Sequence, residues 1–111
     1  MGLLWEHYVL NEIQAHLQFQ QVHYWRDKQG HEIDFIVVRR GRPPIVLETK
    51  WSGGDFDATN ARIFLRQYPN AKVFVVASDI EKTYNRDIGG IPVRFSTLSD
   101  LTKFLGKHHG F

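Results

Sequence analysis

Asp34, Glu48 and Lys50 are the residues of this 111-residue chain whose types and spacing could carry chemistry. Two carboxylates on one face of neighbouring strands repel each other unless a cation lies between them. A hard divalent ion such as Mg²⁺ prefers oxygen ligands and would remove this repulsion. An ammonium group beside it could orient an attacking water and offset the charge that builds on a phosphoryl oxygen. These three residues therefore predict a magnesium site for phosphoryl chemistry.

The two strands that carry these residues must pair in one particular register. Glu32–Val38 alternates and is rich in β-branched residues, and Ile45–Lys50 follows it after an arginine-rich turn. A hairpin centred on Gly41 sets Asp34 directly opposite Glu48, with Cβ atoms about 4.5–5.5 Å apart. Strict alternation keeps both carboxylates on one face, whereas a slip of one residue would separate them.

A fourth acidic residue, Glu6, lies in the first predicted helix. Apolar residues recur at helical spacing through residues 3–18, namely Leu3, Leu10, Ile13 and Leu17. Glu6 lies on or beside this apolar stripe, so its carboxylate faces the sheet and needs a partner there. We expect a metal ion, or a water bound to it, to be that partner.

The remaining elements predict a single α/β domain over residues 1–111. Three antiparallel strands follow the first helix. The later elements are a helix at about 58–68, a strand at 73–77 that is buried on both faces, and a strand at 91–95. Ser96 or Ser99 caps a last helix, which reaches about residue 105. The polar stretch 78–90 is interpreted as a connection. The order αβββαβ, followed by a strand and a helix, predicts a mixed central sheet with helices on both faces.

Composition excludes several classes of site. The chain has no cysteine, which excludes disulfides, thiolate metal sites and a cysteine nucleophile. The histidines lack HExxH or comparable metal-ligand spacing. No apolar run approaches the ~18 residues needed to cross a bilayer, and the N-terminus lacks the features of a signal peptide. We therefore expect a cytoplasmic protein with no membrane partner.

Basic residues form two groups that suit nucleic acid. The net charge is +2, the pI is about 9.0, and the groups are a turn (Arg39, Arg40 and Arg42) and a helical face (Arg62 and Arg66). Trp25 and Trp51 flank the expected site and could stack on bases. Structural alternatives stay open: a hydrated hairpin tip, tryptophans that pack in the core or at its rim, and a solvated Asp/Glu/Lys group worth only about 0.2–1 kcal/mol.

Two segments together resemble a known domain. Tyr24–Phe35 (YWRDKQGHEIDF) and Ile45–Lys50 (IVLETK) are similar to the PD-(D/E)XK, or restriction-endonuclease-like, domain at the C-terminus of many prokaryotic AAA-type ATPases. Leu3–Glu12 looks like the helix that opens that domain, and Ile91–Phe95 fits a later strand. Ile33 replaces the proline of the named motif, which the chemistry does not require.

The resemblance implies a fold, an activity and partners. The fold would be the αβββαβ restriction-endonuclease-like core, and the activity would be hydrolysis of phosphodiester bonds, most naturally in DNA, with Mg²⁺ or Mn²⁺. Asp34 and Glu48 would bind the metal, Lys50 would position water, and Glu6 would complete the carboxylate set. The alternative is a catalytically silent module of the same fold that binds DNA or regulates an associated ATPase domain or subunit. The oligomeric state, a homodimer included, stays open.

Overall fold

The computed structural model describes residues 2–16 and 21–106. Its helices are α1 (Gly2–His16), α2 (Thr59–Gln67) and α3 (Leu98–Gly106), and its strands are β1 (Gln21–Arg26), β2 (Glu32–Val38), β3 (Ile45–Lys50), β4 (Lys72–Ala77), β5 (Tyr84–Ile88) and β6 (Ile91–Ser96). A single 3-10 turn, Gly53–Asp55, follows β3. The predicted end of the first helix, at residues 17–18, lies outside the described residues.

The described strands form one six-stranded mixed sheet, in the order β1-β2-β3-β4-β6-β5. The first three strands form the predicted antiparallel meander. β4 then pairs with β3 in parallel, which the intervening helix α2 makes possible by returning the chain to the same end of the sheet. β6 runs parallel to β4, and β5 runs antiparallel to β6 at the edge. The predicted α/β class, with a C-terminal strand and helix, is confirmed.

Helices cover both faces of this sheet, and each face has its own apolar core. Apolar residues of α2 pack on one face, and those of α1 and α3 pack on the other. The apolar run in β4 divides between them, with Val73 and Val75 in the α2 core and Phe74 and Val76 in the other. This double burial is why the run reads as continuously hydrophobic.

Two local predictions in the C-terminal third are wrong. The stretch 78–90 contains a strand, β5, which is polar because it lies at the sheet edge and is mostly exposed. It joins β6 through Gly89 and Gly90, whose φ angles of 58° and 88° suit a two-residue hairpin turn. The cap of α3 is neither Ser96 nor Ser99 but Thr97, whose Oγ1 accepts the Asp100 N–H at 3.0 Å.

None of the helices in the described ranges, 2–16 and 21–106, is long and apolar enough to cross a membrane.

Candidate metal and phosphodiester site

The hairpin between β2 and β3 has the predicted register. Its backbone pairs are Phe35 with Leu47, Ile36 with Val46, and Val37 with Ile45. These pairs are those of a hairpin centred on Gly41, which adopts the left-handed conformation with φ 73°. Asp34 and Glu48 lie one step beyond the pair of Phe35 with Leu47.

At that step, carboxylates rather than backbone groups join the two strands. The Asp34 N–H donates to Glu48 Oε1 at 3.3 Å. In return, Asp34 Oδ2 accepts the Thr49 N–H at 2.8 Å and the Thr49 hydroxyl at 3.0 Å. The two acidic side chains thus lie between the strands at the end of the hairpin. Within the described residues, the second oxygen of each carboxylate, Asp34 Oδ1 and Glu48 Oε2, accepts no hydrogen bond.

A β-bulge interrupts β2 at Asp34 and Phe35. Ile33 and Ile36 are three positions apart, yet both pack in the α2 core, which strict alternation would forbid. The pairing of β1 with β2 shifts at the same place, where β2 holds one residue more than β1. The strict alternation predicted for β2 is therefore wrong at this point. Bulges of this kind redirect side chains and are common beside functional sites.

Glu48 is the most strongly perturbed acid of the site. Its side chain is buried, with 7% exposure. Burial, followed by the negative charge of Asp34, raises the pKa of Glu48 from 4.5 to about 7, and the charge of Glu6 acts in the same direction. The positive charge of Lys50 and the Asp34 N–H oppose this shift. A cation between the carboxylates would remove the repulsion, so the electrostatics favour a bound cation.

Glu6 reaches this region because Trp5 anchors the start of α1 to β4. The indole N–H of Trp5 donates to the Val76 carbonyl at 3.2 Å, and Val76 is paired with Thr49 across β3 and β4. Burial raises the pKa of Glu6, and the charge of Asp34 adds to that effect. Glu6 therefore lies within electrostatic range of Asp34 and Lys50, and its part in the site stays a prediction.

Lys50 ends β3 two residues after Glu48 and is half-buried. Its positive charge lowers the pKa of both Glu6 and Glu48. Within ranges 2–16 and 21–106, Lys50 forms no ion pair within 4.0 Å. Its ammonium is therefore not held by Glu6, Asp34 or Glu48. A bound phosphodiester could therefore contact it directly.

The donor set fits a divalent cation held by two carboxylates rather than three. Among the residues that the structure describes, no group of three or more His, Cys, Asp or Glu side chains is arranged to hold a metal ion. Glu6 thus lies near Asp34 and Glu48 without the geometry of a third ligand, which corrects the expected metal set. Mg²⁺ commonly uses one or two carboxylates and completes its shell with water and substrate phosphate. The unbonded oxygens of Asp34 and Glu48 match that requirement.

Thr49 is a site residue that sequence reasoning missed. It is buried between Glu48 and Lys50, and both its N–H and its hydroxyl hold Asp34 Oδ2. Loss of a residue that orients a ligand in this way typically costs about 10-fold to 100-fold in metal affinity. A hydroxyl residue between two charged residues of a buried strand was the available signal.

The arginine turn differs from its prediction at one residue. Arg39 is buried, with 4% exposure; its Nη2 donates to the Pro43 carbonyl at 2.9 Å, and its guanidinium lies 5.4 Å from the centre of the Phe104 ring. Burial keeps it from a surface phosphate, so its expected contact with nucleic acid is wrong. Arg40 and Arg42 are exposed as expected. The turn lies at the opposite end of β3 from Lys50, about 17 Å away along the strand.

The other predicted nucleic-acid residues divide by exposure. Arg62 and Arg66 are exposed on α2, and Arg62 donates to the Gly89 carbonyl at 2.9 Å. Trp25 packs against the α2 core, where its ring meets Phe64 edge-on at 5.5 Å. Trp51 is exposed. Of the two tryptophans, therefore, only Trp51 could stack on a base.

The carboxylates lie away from a concavity at the far end of the sheet. That concavity, of about 690 Å³, lies at the amino ends of β4 and β6, and its cationic residues are Lys72, Arg86 and Arg94. Asp34, Glu48 and Lys50 lie at the other end of the sheet, where the antiparallel pairing of β2 and β3 ends.

Comparison with known proteins places the chain in a family. A search of curated proteins found no match. The family described as "Domain of unknown function (DUF4143)" matches residues 1–95, a range that contains Glu6, Asp34, Glu48 and Lys50. Because this match covers most of the chain, the protein belongs to the DUF4143 family.

Proposed function

We propose that this domain is a metal-dependent nuclease of the PD-(D/E)XK type, which hydrolyses phosphodiester bonds of DNA with Mg²⁺ or Mn²⁺. The observation that carries the proposal is the pair of carboxylates, Asp34 and Glu48, that joins β2 to β3. They are linked by the 3.3 Å contact of the Asp34 N–H with Glu48, and Lys50 follows two residues later. Two neighbouring carboxylates, one of them buried, repel each other unless a cation lies between them, which supports a cation-dependent role.

Each residue has a distinct part in the proposed reaction. Asp34 Oδ1 and Glu48 Oε2 would hold the metal ion, and Thr49 would keep Asp34 in place. The ion would polarise the phosphoryl group and lower the pKa of water. Water oxygen would form a bond to phosphorus as the bond to the leaving oxygen breaks, and a proton would pass to that oxygen. Lys50 would orient the water and offset the charge on the phosphoryl oxygens.

The test is cleavage of supercoiled plasmid with Mg²⁺ or Mn²⁺. Asp34→Asn and Lys50→Met should each lower the rate by at least about 100-fold, because each removes a group that acts in the transition state. Asp55→Asn is the matched control, since Asp55 is an exposed acid in the nearby turn, and it should retain the wild-type rate. Equal cleavage by wild type and Asp34→Asn would identify a contaminating nuclease and refute the proposal.

A second candidate function is DNA binding without cleavage, and exposed cations at the other end of the sheet favour it. Arg40 and Arg42 are exposed in the turn, and Lys72, Arg86 and Arg94 surround the 690 Å³ concavity. Within the described ranges, none of the five takes part in an ion pair within 4.0 Å. Unpaired cations suit a phosphate backbone.

Salt dependence of DNA binding tests this second candidate. Neutralising Arg40 and Arg42 together should weaken binding and reduce the slope of log K against log[salt] by about 2, since each phosphate contact contributes about 0.9. Arg26→Gln is the control, because Arg26 already lies 3.6 Å from Glu32. If the module only binds, Asp34→Asn will bind normally and no variant will cleave. If the DNA affinity and its salt dependence are unchanged when Arg40 and Arg42 are neutralised, this candidate function is wrong.

The expected partners beyond DNA are an ATPase domain or subunit, and a second copy of the chain. Both are proposals that come from the family resemblance and from the open oligomeric state. Light scattering of the purified protein would report a homodimer. Co-purification with an ATPase from native cells would support the regulatory alternative.

A further inference from the structure

Trp51 is a large aromatic residue left exposed directly beside the carboxylate site. It follows Lys50 in the chain and has 46% exposure. Trp5 contacts it almost perpendicularly, with ring centres 6.4 Å apart and an angle of 84°. In a perpendicular contact one ring presents its edge, so at least one face of the Trp51 indole is not covered by Trp5.

Hydrogen bonds hold the backbone that carries this ring. The Trp51 carbonyl accepts the Ser78 hydroxyl at 2.5 Å. The next two residues are held by Asp79, which accepts the Ser52 hydroxyl and the Gly53 N–H, each at 2.9 Å. The ring is therefore carried by an ordered segment, which reduces the entropy that a ligand would lose on binding.

The aromatic surface continues along α1. Trp5 is anchored by its hydrogen bond to the Val76 carbonyl, and Tyr8, with 53% exposure, lies 6.0 Å from it. Glu6 lies between them in sequence. Trp51, Trp5 and Tyr8 thus form a continuous run of ring contacts from the end of β3 to α1; we call these three residues the aromatic border.

The chemistry of this border fits a base attached to a phosphate. Lys50 precedes Trp51 in the chain, and its ammonium lies in no ion pair within 4.0 Å in the described part of the chain. Proteins that bind single strands combine cationic groups with exposed aromatic faces, because every base has a face that can stack. In an intact duplex those faces are covered by neighbouring base pairs.

We propose that Trp51, supported by Trp5 and Tyr8, stacks on an unpaired base and directs single-stranded or frayed DNA, rather than intact duplex, to the carboxylate site. This inference rests on the proposed nuclease function for the use of the bound strand. The binding step itself needs no metal ion and no cleavage.

Fluorescence anisotropy in EDTA tests the binding step, with a labelled 20-nucleotide oligo(dT) and a labelled hairpin duplex as probes. Trp51→Ala should weaken oligo(dT) binding by about 5-fold to 100-fold, since stacking contributes about 1–3 kcal/mol per base. The affinity of Trp51→Ala for the duplex should differ from that of wild type by less than about twofold, because a paired base offers no free face for stacking. Trp51→Phe keeps a stacking ring and should stay within about threefold of wild type.

Tyr68→Ala is the matched control. Tyr68 has 48% exposure but stacks on Phe64 of α2, at 4.7 Å, outside the aromatic border. It should leave both affinities unchanged. As a second readout, oligo(dT) should quench the tryptophan fluorescence of wild type more than that of Trp51→Phe, which keeps the inference testable if Trp51→Ala folds poorly.

The two proposals fail in different ways. Wild-type oligo(dT) affinity in Trp51→Ala, equal quenching in Trp51→Phe, or no single-strand binding by the wild type would overturn the stacking inference, whatever the cleavage results. The nuclease proposal alone would be overturned if Asp34→Asn did not reduce cleavage while Trp51→Ala still weakened oligo(dT) binding.

Discussion

Replacing Glu48 by Gln should stabilise the metal-free protein, and more strongly at pH 8 than at pH 5. Burial and the charge of Asp34 raise the pKa of Glu48 from 4.5 to about 7 in the folded state. A raised pKa in an acid means that the folded state favours the protonated form. The stability linked to this proton is fully present below pH 4.5 and is lost as the pH rises to about 7.

The size of the effect follows from the two pKa values. The difference between 4.5 and about 7 corresponds to a loss of about 3 kcal/mol in the free energy of unfolding once both states are deprotonated. At pH 5 less than about 1 kcal/mol has been lost. Gln cannot ionise, and its Oε1 can still accept the Asp34 N–H. Its advantage over Glu should therefore grow by about 2 kcal/mol between pH 5 and pH 8.

Urea unfolding in EDTA, followed by circular dichroism at both pH values, measures this difference. Glu81→Gln is the control, because Glu81 is exposed in the loop between β4 and β5 and lies outside the carboxylate site. Its effect should stay within about 0.5 kcal/mol at both pH values. If Glu48→Gln changes stability equally at pH 5 and pH 8, the reasoning about the buried acid pair is wrong.

Three further predictions follow from particular contacts. Calorimetry with Mn²⁺ should show affinity that rises with pH through about 7 and release of a proton, because binding needs an ionised Glu48; affinity that is flat from pH 6 to pH 8 would contradict this. Thr49→Val should weaken Mn²⁺ binding about 10-fold to 100-fold, since it removes a hydroxyl that orients a ligand; the exposed Thr59→Val is the control, and equal affinities would remove Thr49 from the site. Gly89→Ala should lower the free energy of unfolding by about 1–2 kcal/mol, because its φ of 58° is a conformation that L side chains rarely adopt; unchanged urea unfolding would refute it.

The same buried acid pair connects stability to function. Ionisation of Glu48 at high pH costs the folded state about 3 kcal/mol, yet the same ionised carboxylate is the proposed metal ligand. Glu48→Gln should accordingly abolish cleavage while it raises stability. That opposite pair of effects distinguishes a retained functional group from an ordinary packing residue.

Local sequence patterns were sufficient to predict the hairpin of β2 and β3 and the buried strand β4. The register of β2 and β3 follows from the length of the turn and from the left-handed conformation at Gly41, both of which are local. The continuous apolar run in β4 indicated burial on both faces. For the same reason β5 was missed: an exposed edge strand needs no apolar alternation, and its remaining signal was the Gly89–Gly90 turn.

The amino-acid sequence alone determined which chemical groups share a hairpin, because turn length and pairing register act over a few residues. Only the tertiary structure decided what meets that hairpin from elsewhere. Trp5 and Val76 are 71 positions apart, and their contact brings α1 and Glu6 to the site; packing against Phe104 similarly buries Arg39. Contacts of this kind depend on how helices pack across the sheet, and no periodicity in the chain records that arrangement.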